Sequence, residues 1–247
     1  MTSNNPSRKL LGGHMYNQIN QNLIKCHELF YGGFKLEAKY LSTGNEELNE
    51  MLKGGYKHGE LTEISGATNT GKTLLALKAI KESQKDEKLS IFIDTSRSFN
   101  PNYLIENKIN EDGVILIQPE YAEELGIILT EIIKPNIDEI GVIIIDDLAN
   151  LTTKFEKNSD INKNTDIHRS KVIKALLTRI SNLVRNTEAC AIILNQNRSN
   201  FLQDGSVKEI SSFERWVEMS CNTRLKLSLD EDGDICADVK FKQRKIR

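Results

Sequence analysis

The chain has 247 residues, of which 28% are charged and 38% hydrophobic, and its formal net charge is −2. This length suits one large α/β domain, and a nearly balanced charge means that any affinity for nucleic acid must come from a local basic patch. The four cysteines show no CxxC spacing and no apolar run reaches transmembrane length, so we expect a cytoplasmic protein with reduced thiols and no membrane association.

The N-terminal region divides into a polar leader and a short helix. Residues 1–15 are polar and aperiodic, which predicts disorder. Between residues 16 and 30 the apolar residues recur at helical spacing, and the Gly32-Gly33 pair ends this run, which predicts a short amphipathic helix. We therefore expect a helix with its linker at 16–40 and one core domain at 41–247.

Short apolar runs alternate with helical periodicity along the core. Continuous β-branched runs are typical of strands buried on both faces. The predicted strands are 61–65, 91–94, 114–117, 142–145 and 191–194. The clearest helix is predicted at 167–185, and the whole pattern indicates an α/β fold with a mainly parallel, doubly wound sheet. The segments Thr223–Leu229 and Ile235–Phe241 flank an acidic turn and predict an antiparallel edge hairpin.

A glycine-rich motif follows the first predicted strand and opens a helix at Leu74. The motif reads Gly66-Ala67-Thr68-Asn69-Thr70-Gly71-Lys72-Thr73. In such a loop the backbone N–H groups surround the β- and γ-phosphates, Lys72 supplies a cation, and Thr73 offers its hydroxyl to Mg²⁺. This is a Walker A motif in its usual structural context, so we predict that residues 66–74 bind a nucleotide with Mg²⁺.

A buried strand that ends in a carboxylate supplies the second half of such a site. The apolar run at 142–145 is followed by Asp146, which we expect to hold the water shell of Mg²⁺ beside Thr73. Asp147 comes next and has two interpretations. It is either a cap for the following helical turn or a general base for hydrolysis.

Together these motifs resemble the RecA/RadA recombinase family, with a pattern and spacing most similar to its bacterial branch. The further positions that carry the resemblance are Ser42-Thr43-Gly44, Leu48, Leu52, Gly54-Gly55, Gly59, Glu63, Phe92-Ile93-Asp94, Asn100-Pro101-Asn102-Tyr103 and Asn195-Gln196-Asn197-Arg198. The resemblance covers roughly residues 40–247. It implies a RecA-type P-loop NTPase fold, ATP and Mg²⁺ as cofactors, and assembly with single-stranded DNA as a homo-oligomer or filament.

The resemblance also implies roles for individual residues. Tyr103 matches a tyrosine that stacks on adenine, and Gln196 matches a glutamine that senses the γ-phosphate and passes its state to a DNA-binding loop. Lys245 matches the second of two lysines that a neighbouring subunit extends into the ATP site, whereas Gln243 occupies the first position. Without the resemblance, Tyr103 would be a packing aromatic, Gln196 a surface residue, and the basic C-terminal segment a solubilising tail.

Two segments match the DNA-binding loops of the family in position. Cations for phosphates and an aromatic ring for stacking are what sequence-tolerant binding of single strands requires. The residues predicted to bind DNA are Lys154, Lys157, Lys163, Arg169 and Lys171 in or just after the first segment, and Arg198, Phe201 and Lys208 in the second. The second segment, 197–212, lacks the family's glycine-rich stretch and carries Asp204 and Glu209. Without the resemblance, both would be solvated loops.

One departure from the family concerns hydrolysis. After the strand that ends in Asp94, the family places a glutamate that orients and deprotonates the attacking water, and here that position is Ser96. A serine hydroxyl has no useful basicity near neutral pH, so we expect ATP binding with weak or absent hydrolysis unless Asp147 acts as the base. From the resemblance we also expect that the chain lacks the separate C-terminal domain of bacterial members.

The leading hypothesis is therefore an ATP-binding, RecA-like DNA repair or recombination protein that binds single-stranded DNA as an oligomer and is at most a slow DNA-dependent ATPase. Two alternatives stay open. The chain could be a paralogue that co-assembles with a true recombinase and modulates its filament, or an active ATPase motor of the same superfamily. Binding of DNA with ATP would favour the first hypothesis, affinity only for a recombinase the second, and sustained turnover the third.

Overall fold

The computed structural model describes residues 38–157, 163–201 and 207–242. The predicted leader, the predicted N-terminal helix and Lys245 lie outside these residues. Among the residues predicted to bind DNA, the side chains of Lys163, Arg198, Phe201 and Lys208 also lie outside the description. The description therefore covers most of the predicted core.

The described residues form ten strands and seven α-helices. The strands are β1 (Tyr40–Leu41), β2 (Tyr56–Lys57), β3 (Leu61–Gly66), β4 (Leu89–Asp94), β5 (Val114–Ile117), β6 (Ile140–Asp146), β7 (Cys190–Phe201), β8 (Val207–Ser211), β9 (Thr223–Leu229) and β10 (Ile235–Phe241). The helices are α1 (Glu46–Met51), α2 (Lys72–Lys85), α3 (Asn102–Glu106), α4 (Ala122–Ile128), α5 (Lys154–Lys157), α6 (Lys163–Val184) and α7 (Glu214–Ser220). Helix α4 continues through a π-helical turn, Leu129–Ile133, and a 3-10 segment, Lys134–Glu139.

The main sheet has the strand order β10-β9-β3-β7-β6-β4-β5. Neighbours from β9 to β5 pair in parallel, and β10 pairs antiparallel with β9 at the edge. This confirms the predicted mainly parallel sheet and its edge hairpin. The register places Gly66 opposite Gln196, and Asp94 opposite Asp146. The ends of four strands therefore meet at one edge of the sheet.

Helices cover both faces of this sheet. In β4, Ile91 and Ile93 pack on the face that α4 and α6 cover, whereas Phe92 between them packs on the face that α2 covers. The predicted apolar stripe of α6 is buried, as with Ile173 and Ile180. This alternation is what a sheet covered on both faces requires. Among the described helices, none is long and apolar enough to cross a bilayer.

The structure extends two of the predicted elements. Helix α6 begins at Lys163, four residues before the predicted start. Strand β7 runs on beyond the sheet, and its residues 197–201 pair antiparallel with β8. The segment 197–212, predicted as a loop, therefore contains a two-stranded ribbon. Backbone pairing with β8 explains this difference, because it provides partners for a polar stretch that shows no apolar alternation.

Candidate nucleotide-binding site

The carboxyl ends of β3, β4, β6 and β7 surround a cleft of about 710 Å³. Such an edge of a parallel sheet is the usual place for a ligand. The predicted site residues that line it are Thr68, Asn69, Gly71, Lys72, Thr73, Leu74, Tyr103, Asp146, Asp147 and Gln196. Gly66, Ala67 and Thr70 lie in the same loop behind this lining, where the buried Thr70 hydroxyl donates to the Ala67 carbonyl at 2.9 Å.

Glycine is required at both ends of the loop. A Cβ atom at Gly66 would lie 2.6 Å from Thr70 Oγ1 and 2.7 Å from the Leu227 carbonyl oxygen. Gly71 has φ of 83° and caps the N-terminus of α2, a left-handed conformation that costs glycine little. The loop can therefore turn sharply and direct the N–H groups of α2 toward the cleft, as phosphate binding requires.

Lys72 places its ammonium group against the inside of this loop. Its Nζ donates to the carbonyl oxygens of Gly66 at 3.0 Å and Ala67 at 2.5 Å. Burial lowers the pKa of Lys72, although Asp146 and Asp147 nearby act in the opposite direction. A half-buried cation among backbone dipoles is suited to a strongly anionic ligand.

Thr73 and Asp146 form an oxygen-rich pair at the start of α2 and the end of β6. The Thr73 hydroxyl donates to Asp146 Oδ2 at 3.1 Å. Burial raises the pKa of Asp146 to about 6; the Thr73 hydrogen bond opposes this shift, and the charges of Asp147 and Asp94 add to it. A hydroxyl and a carboxylate are the hard ligands that Mg²⁺ prefers, so this pair fits a Mg²⁺ ion that accompanies a triphosphate.

Tyr103 forms an aromatic wall of the cleft. It lies on α3 with 39% of its surface exposed, and its ring meets Phe99 edge-on at a centroid distance of 6.4 Å. Phe99 in turn packs against Phe92 of β4 at 4.7 Å. An exposed ring held by aromatic neighbours is well placed to stack against a base.

Ser96, for which the resemblance predicts a glutamate in related proteins, lines the cleft. Its hydroxyl donates to Asp94 Oδ1 at 2.9 Å, while the other oxygen of Asp94 accepts from Phe99 N at 2.9 Å and from Gln118 Nε2 at 3.0 Å. Burial tends to raise the pKa of Asp94, but these hydrogen bonds outweigh it and hold the pKa below the ordinary value. Asp94 therefore anchors the loop after β4 and is a weak base.

Asp147 is buried and uses both carboxylate oxygens. Oδ1 accepts from Asn150 N at 2.8 Å and so caps the 3-10 turn Leu148–Asn150, which agrees with the capping interpretation. Oδ2 accepts from Gln196 Nε2 at 2.6 Å, a contact that no sequence motif indicates. Burial raises the pKa of Asp147, and the hydrogen bonds from Asn150 and Gln196 oppose that shift.

A buried ionic network supports the end of β7, and sequence reasoning missed most of it. Glu63 is fully buried and accepts from Arg224 Nε at 2.6 Å and from Asn195 Nδ2 at 2.9 Å. Arg224 also pairs with Glu214 of α7 at 3.0 Å. Asn195 donates to the Ser212 carbonyl as well, at 2.7 Å. The network thus joins β3, β7, β9 and α7 at the base of the ribbon.

The predicted DNA-binding cations fall into two groups. Arg169 donates to the carbonyls of Ala149 and Leu151 and pairs with Glu156 at 3.5 Å, so its guanidinium is committed within the fold. Lys157 pairs with Glu120 at 2.6 Å on the surface. Lys154 lies over the Tyr121 ring at 5.7 Å.

Lys171 belongs to an exposed basic groove along α6. The groove has a volume of about 610 Å³, and its cationic lining residues are Lys134, Lys171, Lys174 and Arg179. Next to it, Lys174 Nζ lies 4.8 Å from the ring centre of Trp216, and Arg215 covers the same ring at 5.0 Å. Cations beside an aromatic ring are the groups that contact a nucleic-acid backbone and its bases.

The parallel sheet with a glycine loop, a lysine and a strand-end aspartate at its carboxyl edge defines the class of P-loop α/β proteins. A family model described as the RecA N-terminal domain matches residues 16–207. The chain belongs to the RecA family.

Curated relatives agree with this assignment. Protein RecA of Mesoplasma florum is 29% identical over 216 residues, which covers 85% of this chain and 64% of that protein. Protein RecA of Rippkaea orientalis is 27% identical over 197 residues, 79% of this chain and 56% of that protein. For Protein RecA of Bacteroides thetaiotaomicron the identity is 31% over 163 residues, 66% of this chain and 49% of that protein. The chain thus spans about half to two thirds of these relatives.

Proposed function

We propose that this protein binds ATP with Mg²⁺ in the cleft and uses the bound nucleotide to control its binding to single-stranded DNA as an oligomer, in repair or recombination. The observation that carries the proposal is the convergence of Lys72, the Thr73–Asp146 pair and Gln196 at one edge of the sheet. Cation, metal ligands and an amide are the groups that a triphosphate requires. Tyr103 would stack on the adenine.

The same cleft supports slow or absent hydrolysis. The carboxylates among its described residues are Asp94, Glu106, Asp146 and Asp147. Asp94 and Asp147 accept hydrogen bonds on both carboxylate oxygens. Asp146 would bind Mg²⁺ together with Thr73. Glu106 lies on α3, three residues after Tyr103. A general base has to reach the attacking water, and the position for it is held by Ser96.

The connection to DNA rests on the course of β7. This strand carries Gln196 at the cleft and continues directly into the ribbon with β8, which occupies the second segment predicted to bind DNA. The exposed Lys171 and Lys174 lie on α6, the helix that follows the first segment. A single strand therefore connects the cleft to the ribbon, as a nucleotide-dependent DNA contact requires.

One experiment tests the whole proposal. Binding of the full chain to a fluorescent single-stranded oligonucleotide is measured with ATP, with ADP and without nucleotide at two salt concentrations, and light scattering gives the mass of the complex. We expect tight, salt-sensitive binding with ATP and a mass well above that of one chain. Affinity only for a recombinase filament would replace the proposal with the modulator hypothesis, and rapid steady-state turnover would replace it with the motor hypothesis.

A further inference from the structure

The bond between Asp147 and Gln196 joins two residues with opposite environments. Asp147 is 4% exposed, whereas Gln196 is exposed at the surface of the cleft. Gln196 Nε2 donates to Asp147 Oδ2 at 2.6 Å. The other oxygen is fixed by Asn150 N, and the Asp147 carbonyl by the Thr95 hydroxyl at 2.6 Å. The carboxylate of Asp147 is therefore anchored on the buried side of the contact.

Turning this amide away has a cost. If Gln196 moved to another acceptor, the buried carboxylate of Asp147 would lose the hydrogen bond from the amide, and losing a bond to a buried charge is unfavourable. If instead one Gln196 nitrogen bridged both acceptors, the carboxylate of Asp147 and a γ-phosphate oxygen would lie roughly 5–6 Å apart. At that separation two negative groups repel each other. Either arrangement opposes the γ-phosphate.

We propose that Asp147 is a positioning residue that restrains Gln196 and thereby weakens the preference of the site for ATP over ADP. This inference rests on the proposed nucleotide binding. It further specifies that Asp147 limits the strength of the contact between Gln196 and the γ-phosphate. Asp147 in this view is neither a general base nor only a cap. If Asp147 acts by restraining the amide, its effect on nucleotide preference requires Gln196. If it acts only by repelling the γ-phosphate, its effect remains when Gln196 is removed.

A double-mutant cycle tests the inference. Asp147→Ser removes the carboxylate but keeps a hydroxyl that can cap the turn, and Gln196→Ala removes the amide. The ratio of dissociation constants for ADP and for β,γ-imido-ATP is measured with Mg²⁺ by calorimetry for wild type, both single variants and the double variant. We expect Asp147→Ser to raise the preference for the triphosphate roughly tenfold, as a released hydrogen bond to a charged group would.

The interaction between the two changes is the decisive quantity. We expect Gln196→Ala to reduce the triphosphate preference at least fivefold more in the Asp147→Ser background than beside the native carboxylate. Asp147→Asn keeps an acceptor without the charge and is expected to fall between wild type and Asp147→Ser. The exposed Asp138→Ser is the matched control for a lost surface charge.

Several outcomes would overturn the inference. A gain in Asp147→Ser that persists without Gln196 would show charge repulsion alone, and a reduced triphosphate preference would show that Asp147 orients the amide productively. If Asp147→Ser does not fold, the cycle with Asp147→Asn decides, and additive effects there reject the restraint. Wild-type protein that binds neither nucleotide would reject the proposed function itself, whereas binding with an additive cycle rejects the inference alone.

Discussion

The functional side chains contact one another in the nucleotide cleft but not in the same way in the basic groove. In the cleft, groups from different strands bond directly to one another, as Thr73 does to Asp146 and Gln196 to Asp147. In the groove, Lys171 and Lys174 project from one helix toward solvent. Groups that bond to each other directly respond together when one is changed, whereas solvent-exposed cations are coupled only weakly because water and salt screen their charges. We therefore expect strong coupling between variants in the cleft and additive effects in the groove.

The largest effect is expected for Lys72→Ala. It removes the cation that lies against the Gly66 and Ala67 carbonyls, and charge-assisted bonds to phosphate are lost with it. ATP affinity should fall at least about 100-fold, as expected for two or more such bonds. Calorimetric titration with MgATP measures the loss, and an unchanged far-UV circular dichroism melt serves as the folding control. Retained affinity would move the site elsewhere.

Ser96→Glu should raise ATP turnover by about 100-fold, since a general base typically contributes that much. The wild-type rate is expected to be low, and Asp147→Asn should alter it little because that carboxylate serves Asn150 and Gln196. A coupled phosphate-release assay with and without DNA measures the rates. Fast wild-type turnover that Asp147→Asn abolishes would show that Asp147 is the base after all.

In the groove, Lys171→Ala with Lys174→Ala should flatten the salt dependence of oligonucleotide binding. If each lysine neutralises one phosphate of a single strand, the log–log slope falls by about 1.4. Fluorescence anisotropy between 50 and 200 mM salt gives the slope. Lys81→Ala with Lys85→Ala is the matched control, because it removes the same charge from α2 on the opposite face of the sheet. Equal slopes in both pairs would reject the groove as a DNA surface.

The smallest effect on DNA binding is expected for Arg169, although it carries the same charge as the groove residues. Arg169→Ala should change the salt slope by much less than Lys171→Ala, but it should lower the free energy of unfolding by about 1–3 kcal/mol. The reason is that its guanidinium bonds to the Ala149 and Leu151 carbonyls. Urea denaturation measures the stability. If Arg169→Ala keeps the wild-type stability but flattens the salt dependence of oligonucleotide binding, Arg169 contacts DNA after all.

Much of the sheet and of the loop geometry follows from local sequence. The buried apolar runs mark β3 to β7, and parallel strands place their carboxyl ends at one edge, so the grouping of Gly66, Asp94, Asp146 and Gln196 could be expected. The position of Gly71 at the start of α2 could likewise be predicted from the Walker A motif. Local patterns suffice here because each residue's position depends on the strand that carries it.

Contacts between distant segments could not be predicted in this way. Arg224 and Glu63 are 161 positions apart, and Gln196 and Asp147 are 49 apart. No periodicity or motif encodes such a pair, since it arises only from sheet register and burial. The same limit applies to Arg169: its charge alone predicts DNA binding, whereas in the fold its guanidinium donates to the carbonyls of Ala149 and Leu151 after β6. Local sequence therefore indicates the charge of a residue better than its partner.

Trp216 gives the molecule a built-in optical reporter. It is the single tryptophan of the chain, so emission excited at the red edge of the indole band comes from one place only. That place lies between Lys174 and Arg215, beside the groove and immediately after the ribbon. A phosphate that draws Lys174 away from the ring would change the emission maximum and the intensity of the Trp216 fluorescence, so no attached dye is needed. Nucleotide added alone would then show, by the same signal, whether binding in the cleft changes the surroundings of Trp216.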